Sequence, residues 1–150
     1  MNYHHVVLIF HLLAATVWVG GHLLLTVLLL PRAVRENDPS VILDFQKQYE
    51  RFGMSSLLIL VVTGIAMALD YGVYPGRWFH FADPIETVVS LKLSLLAATF
   101  ALALSAQFFV IPRLKSGNPA LGVIAFHIIS VTLLGVSMLI IGSSIRFGGL

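Results

Sequence analysis

Four long apolar segments divide this chain, and they restrict its fold more than any other feature does. They cover residues 6–30, 54–71, 87–111 and 121–142. A helix needs about 20 mainly apolar residues to cross the hydrocarbon core of a bilayer, and each segment reaches or approaches that length. The sequence therefore predicts an all-α, four-helix transmembrane bundle with up-down-up-down topology, forming a single membrane domain over residues 1–150.

The composition indicates the same environment. Hydrophobic residues make up 58% of the chain and charged residues only 11%, whereas about 25% of the residues in soluble domains are charged. The basic residues do not form a run, which argues against binding to nucleic acid. The chain has no cysteine, so disulfides and thiolate metal sites are excluded. The predicted partner of the chain is therefore the lipid bilayer.

Basic residues are distributed unevenly over the connections between the segments. One side of the predicted bundle carries six of them, and the opposite side carries only Arg77 and Arg146. The positive-inside rule predicts that both basic connections lie in the cytoplasm and both termini outside. Asp38 and Pro39 resemble an N-cap and a first-turn proline, which predicts a cytoplasmic surface helix over residues 39–52. The six basic residues are Arg32, Arg35, Lys47, Arg51, Arg113 and Lys115.

Histidines recur along one face of the first segment. His11 and His22 are eleven residues apart, which corresponds to three helical turns plus about 20° and an axial separation of about 16 Å. His4 and Trp18 fall on the same stripe. Because ionisable side chains are costly when they face lipid, we expect this stripe to face the interior of the bundle.

The fourth segment has a matching pattern, since His127 and Met138 are also eleven residues apart. The first and fourth segments are antiparallel if all four cross the membrane, so His22 should be level with His127, and His11 with Met138. Lys92 should lie at about the depth of His11. Levels about 16 Å apart are too distant for a binuclear metal centre, whose ions are about 3.5–4 Å apart. They suit two separate sites.

Imidazoles on facing helices of a four-helix bundle are suited to holding haem. The spacing predicts haem b, in one or two copies, with His22 and His127 as axial ligands of the inner haem. His11, together with Lys92 or Met138, would hold the outer one. The same histidines are also compatible with hydrogen-bonded packing and no ligand. No catalytic residue is indicated by the sequence.

His4, His5 and His80 belong to the predicted outer surface. A histidine cluster at such a surface can collect a metal ion such as copper, although solvated histidines there need no ligand. An outer copper site at these three residues is therefore kept as an alternative.

Short motifs occur along nearly the whole chain, at residues 11–22, Leu30-Pro31-Arg32, residues 49–53, Thr63-Gly64, residues 91–93, residues 111–114 and His127. These motifs resemble those of the CopD family of bacterial inner-membrane copper-resistance proteins. More distantly, the four-helix pattern is similar to the oxygen-independent protoporphyrinogen oxidases, which draws attention to His11 and Lys92. The resemblance implies a multi-pass protein of the bacterial cytoplasmic (inner) membrane, with periplasmic termini, and a role in copper resistance.

Three functional hypotheses follow. The first is membrane electron transfer by a haem oxidoreductase that uses a quinol or small oxidant and a redox partner protein. The second is copper transport or copper resistance, and the third is a non-catalytic assembly subunit. A homo-oligomer is compatible with each of them. Cu(I) prefers thiolate or thioether ligands, and the apolar segments offer only Met54, Met67 and Met138, which favours the first hypothesis.

Overall fold

The computed structural model describes residues 2–115 and 121–148. These residues form four long helices and no strand, which confirms the predicted all-α class. Each helix is long and apolar enough to cross a membrane. Large apolar side chains such as Val62, Phe108 and Ile140 cover the outside of the bundle, the surface that a bilayer requires. The helices are α1 (Tyr3–Glu36), α2 (Ser40–Asp70), α3 (Pro84–Arg113) and α4 (Leu121–Ser144).

Helices α1 and α3 each widen into a π-helical turn shortly before an internal proline. The N–H of Leu30 donates to the carbonyl of Leu25, five residues back, just before Pro31. In α3, a second π-helical turn spans Ala106–Val110, just before Pro112. Proline lacks an N–H and its ring collides with the carbonyl four residues earlier, and a widened turn moves that carbonyl away. Both helices therefore continue through their prolines to the end of the bundle.

Helix α2 is continuous from Ser40 to Asp70. The sequence predicts a polar surface helix over residues 39–52 that leads into the span over 54–71, and both segments lie in this one helix. Gly53 lies between them, and its missing side chain accommodates the ring of Tyr49. Before the helix, Asp38 accepts hydrogen bonds from the backbone N–H and the hydroxyl of Ser40, and both bonds hold the pKa of Asp38 below its usual value.

The four helices pack as two pairs. Helix α1 runs along α2, helix α3 runs along α4, and α1 and α4 join the two pairs. Among the described residues, α2 and α3 make no comparable contact, so a seam remains between them. The α1–α4 contact includes the hydroxyls of Thr26 and Thr132, which are 2.7 Å apart, and a hydrogen bond from Thr132 to the carbonyl of His22.

Tyr49 joins α1 to α2. Its hydroxyl donates to the backbone carbonyl of Val17 over 2.6 Å. Its ring lies between Gly21 of α1 and Gly53 of α2, where a Cβ on either glycine would stand 2.3 Å or 2.7 Å from the nearest ring atom. The ring also stacks on Phe45, with centroids 5.1 Å apart. This close approach fixes the depth of α1 relative to α2, and with it the level of the histidines on α1.

The connection between α2 and α3 folds over the end of the bundle at which α2 ends and α3 begins. Arg77 pairs with Glu86, whose side chain has no exposed surface, and Glu86 also accepts a hydrogen bond from the backbone N–H of Ala82. Asp83 caps α3 by accepting from the N–H of Glu86, and Pro84 follows at the first helical position. The backbone N–H of Phe79 donates to the hydroxyl of Ser90. These contacts tie the connection to the start of α3.

Candidate functional site: two cavities inside the bundle

Two cavities lie between the helices at successive depths. The first, called the His11 cavity, has a volume of about 160 Å³. The second, called the His22 cavity, has a volume of about 430 Å³. Trp18 and Leu57 line both, so they lie between the two spaces.

The His22 cavity is lined by both histidines that the sequence places at its level. His22 comes from α1 and His127 from α4. The Nδ1–H of His22 donates to the carbonyl of Trp18, and that of His127 donates to the carbonyl of Val123, each over 2.8 Å. A carbonyl only accepts hydrogen bonds, so Nδ1 carries the proton in each neutral ring and Nε2 carries the lone pair. Metal-bound histidines are held in the same way.

Other groups contact His127 or line this cavity without being related to the histidines by spacing along the chain. The hydroxyl of Ser105 lies 3.1 Å from Nε2 of His127 and donates to it. Met54 and Glu50 line the cavity. The described part of the lining contains no lysine or arginine. Nothing in the spacing of Ser105 or Met54 relates them to His127, because they lie on other helices.

The His11 cavity contains the other predicted level. His11, Lys92 and Met138 all line it, as their expected depths require. The Nδ1–H of His11 donates to the hydroxyl of Thr63 over 2.8 Å, and that hydroxyl donates in turn to the carbonyl of Ile59. The lone pair of His11 therefore also lies on Nε2. The nearby motif Thr63-Gly64 provides both this acceptor and the space for the ring, since a Cβ at Gly64 would stand 3.4 Å from His11.

Lys92 lies inside the bundle. Its Nζ would be 3.0 Å from a Cβ built on Gly142 of α4, so the ammonium reaches across to the neighbouring helix. No ion pair of Lys92 with an acidic side chain occurs within residues 2–115 and 121–148. Trp18, in the wall between the cavities, is 7% exposed, and its indole N–H has no acceptor in the described structure.

The three histidines of the predicted outer surface are not gathered into one site. His4 pairs with Asp70, with 2.5 Å between Nδ1 and Oδ2, and packs edge-on against Tyr71. His5 and His80 are exposed. Over the described ranges, no group of three or more histidine, aspartate or glutamate side chains is arranged to hold a metal ion.

Both cavities are therefore lined by imidazoles whose Nδ1 donates a hydrogen bond within the bundle. Imidazole is a ligand for copper as well as for haem iron. The His22 cavity also falls within the range of about 300–1,000 Å³ that is typical of cofactor sites, and its two imidazoles come from different helices. Its two imidazoles are thus of a ligand type that both copper and haem iron accept.

Comparisons with known proteins give one result. Neither the curated proteins nor the solved structures contain a significant match to this chain. The family model of CopD, copper resistance protein D, matches residues 43–145. This region contains Lys92, His127 and Met138, whereas His11 and His22 precede it. Because the match covers more than half of the chain, this multi-pass membrane protein belongs to the CopD family of copper-resistance proteins.

Proposed function

We propose that this protein binds Cu(I) as its cargo inside the membrane, in the His22 cavity, and thereby contributes to copper resistance. One observation carries the proposal. The cavity is lined by the imidazoles of His22 and His127, the thioether of Met54 and the carboxylate of Glu50. Imidazole and thioether ligands suit copper, and the carboxylate favours a cation.

The distribution of soft ligands over both cavities supports copper more than the sequence alone does. The apolar segments contain three histidines and three methionines, and all six line one cavity or the other. Met54 lies with His22 and His127, whereas Met67 and Met138 lie with His11. The apolar segments have few such ligands, but the tertiary structure places all of them in the walls of the two cavities. The His22 cavity is the better copper site of the two, because the ammonium of Lys92 in the His11 cavity repels a cation.

We expect purified protein in lipid nanodiscs to take up one Cu(I) per chain in competition with a chromophoric Cu(I) chelator. Replacing His22 or His127 with alanine should lower the Cu(I) affinity by about 100-fold or more, since even residues that only orient a metal ligand typically contribute about 10–100-fold. His5→Ala is the matched control, because His5 is exposed on the same helix as His22 and should leave the affinity unchanged. Undiminished copper binding by the His22→Ala/His127→Ala double variant would falsify the proposal.

A second candidate is haem b in the same cavity, where His22 and His127 would hold the iron. It is favoured by the volume of about 430 Å³ and by the carbonyl-bound Nδ1 of both rings. When bound, haem iron supplies one-electron chemistry, and the protein would then exchange electrons with a quinol or a redox partner protein. His11, Lys92 and Met138, the predicted ligands of a second haem, line a cavity of only about 160 Å³, so the haem candidate is confined to the His22 cavity.

An absorption spectrum separates the two candidates. Protein expressed with ample haem should lack a Soret band if Cu(I) is the cargo, and His22→Ala should then change only copper content. A Soret band in the wild-type protein that is lost in both His22→Ala and His127→Ala, together with absent Cu(I) binding, would replace the copper proposal by the haem one.

The membrane orientation is also proposed, with both termini in the periplasm. The chain has no cysteine, so single cysteines can be introduced without removing others. We expect Gly76→Cys, in the connection between α2 and α3, to react with a membrane-impermeant maleimide applied from the periplasmic side of intact cells. Gln48→Cys, near the start of α2, should react only after lysis. The reverse pattern would place the termini in the cytoplasm.

A further inference from the structure

The His11 cavity has polar groups that copper binding does not use. The ammonium of Lys92 lines it, and so does the ring of His11, whose Nε2 carries a lone pair. No aspartate or glutamate lines the described cavity. A charged group inside a membrane protein is costly unless it has a partner or serves a ligand. The cavity thus presents one strong hydrogen-bond donor, the ammonium of Lys92, and one acceptor, Nε2 of His11. No acidic side chain of the described residues pairs with the ammonium.

The remaining lining is apolar and aromatic. Trp18, Trp78 and Tyr71 contribute rings, and most other lining residues are aliphatic. The volume of about 160 Å³ is close to the roughly 150 Å³ of an engineered protein cavity that admits benzene. One six-membered ring therefore fits this space, whereas a macrocycle needs considerably more.

The seam between α2 and α3 offers a route from the bilayer. Residues of both helices line the cavity, among them Gly64 and Ile65 of α2 and Val89 and Leu93 of α3. These two helices make no extensive contact with each other in the described structure. A ligand dissolved in the lipid can therefore approach sideways, without crossing the connection that covers the end of the bundle.

We propose that the His11 cavity binds the ring of a lipid-soluble quinone or quinol, which enters between α2 and α3. The ammonium of Lys92 donates a hydrogen bond to a ring oxygen, and Nε2 of His11 accepts the O–H of the quinol form. The aromatic side chains contact the faces and edges of the ring. This site is separate from the His22 cavity, and its occupation does not depend on which metal, if any, the His22 cavity holds.

The two tryptophans of the chain provide the measurement, because both Trp18 and Trp78 line this cavity. We expect decylubiquinone to quench their fluorescence saturably when it is added to metal-free protein in nanodiscs. In Lys92→Met the apparent dissociation constant should rise by about tenfold or more, since a hydrogen bond to a charged group accounts for about that factor. Lys47→Met is the control, because Lys47 is exposed and far from the cavity lining.

A second variant tests the position of the ammonium without removing its charge. A Cβ at residue 142 would lie 3.0 Å from Nζ of Lys92, so Gly142→Ala should displace the ammonium and weaken quinone binding by a few-fold. Decylbenzene, which has no oxygen, should not compete with the quinone, and neither should dodecanoate.

Several results would overturn this proposal. Quenching that rises linearly in the wild-type protein indicates partition into lipid only. Equal affinity of the wild-type protein and Lys92→Met removes the role of the ammonium. Competition by decylbenzene identifies a purely apolar cavity, and competition by dodecanoate with no quinone binding identifies a carboxylate site. Each of these results is independent of the copper measurements on the His22 cavity.

Discussion

Replacing Gly21 with alanine is expected to destabilise the bundle by about 2–4 kcal/mol. A Cβ at this position would stand 2.3 Å from the hydroxyl oxygen and from the adjacent ring carbon of Tyr49. Gly53 already lies against the other side of the ring, where its missing side chain makes the space that the ring occupies. Tyr49 must therefore leave this space, and it loses its hydrogen bond to the carbonyl of Val17.

The neighbouring glycine gives the matched control. A Cβ at Gly20 would meet no atom within 4 Å, so Gly20→Ala should be neutral or should stabilise the protein by about 0.5–1 kcal/mol through helix propensity. The measurement is the midpoint of thermal unfolding in detergent, followed by far-ultraviolet circular dichroism. If both variants unfold at the same temperature, Tyr49 does not hold α1 against α2. Tyr49→Phe should show a smaller loss of about 1 kcal/mol, because it removes only the hydroxyl.

Arg77→Met should also have a large effect, because it leaves the carboxylate of Glu86 without its cationic partner. Glu86 has no exposed surface, whereas the side chain of Arg77 is 53% exposed. Removing one partner of a fully buried ion pair costs about 3–5 kcal/mol. Half of Arg77 is solvated, so we expect a smaller loss of about 2–3 kcal/mol in the free energy of unfolding.

Two further variants isolate the contribution of this pair. Arg32→Met removes an exposed ion pair with Glu36 and should cost less than about 1 kcal/mol. In the double variant Arg77→Met/Glu86→Met no unpaired buried carboxylate remains, so it should recover part of the stability that Arg77→Met loses. Equal unfolding midpoints for Arg77→Met and Arg32→Met would show that the Arg77–Glu86 pair contributes no more to stability than the exposed Arg32–Glu36 pair, despite the burial of Glu86.

The depth of each histidine followed from the sequence because helical geometry converts residue spacing into distance. The eleven-residue intervals placed His11 with Met138 and His22 with His127, and each pair lines a common cavity. The role of Gly53 did not follow, since its position along the chain does not show which side chain packs against it. In the structure, this glycine makes space for Tyr49.

The hydrogen-bond partners of the histidines could not be predicted from residue spacing along the chain. Thr63 accepts a hydrogen bond from His11, and Ser105 lies against His127, yet each of these pairs joins two different helices. Contacts of this kind depend on how the helices are rotated and shifted against one another. His4 is a similar case, because it was predicted with His5 and His80 but pairs with Asp70 at the end of α2.

The sequence by itself determined the number of helices, their apolar character and the levels of the histidines, since each depends only on local composition and on the constant rise of a helix. Tertiary structure alone decided that α1 packs on α2 while α2 and α3 remain apart. It also decided that all the intramembrane histidines and methionines line two cavities. The physical reason is that lateral packing depends on small residues such as Gly21 and on side chains that reach across from other helices. The periodicity of the sequence does not predict those contacts between helices.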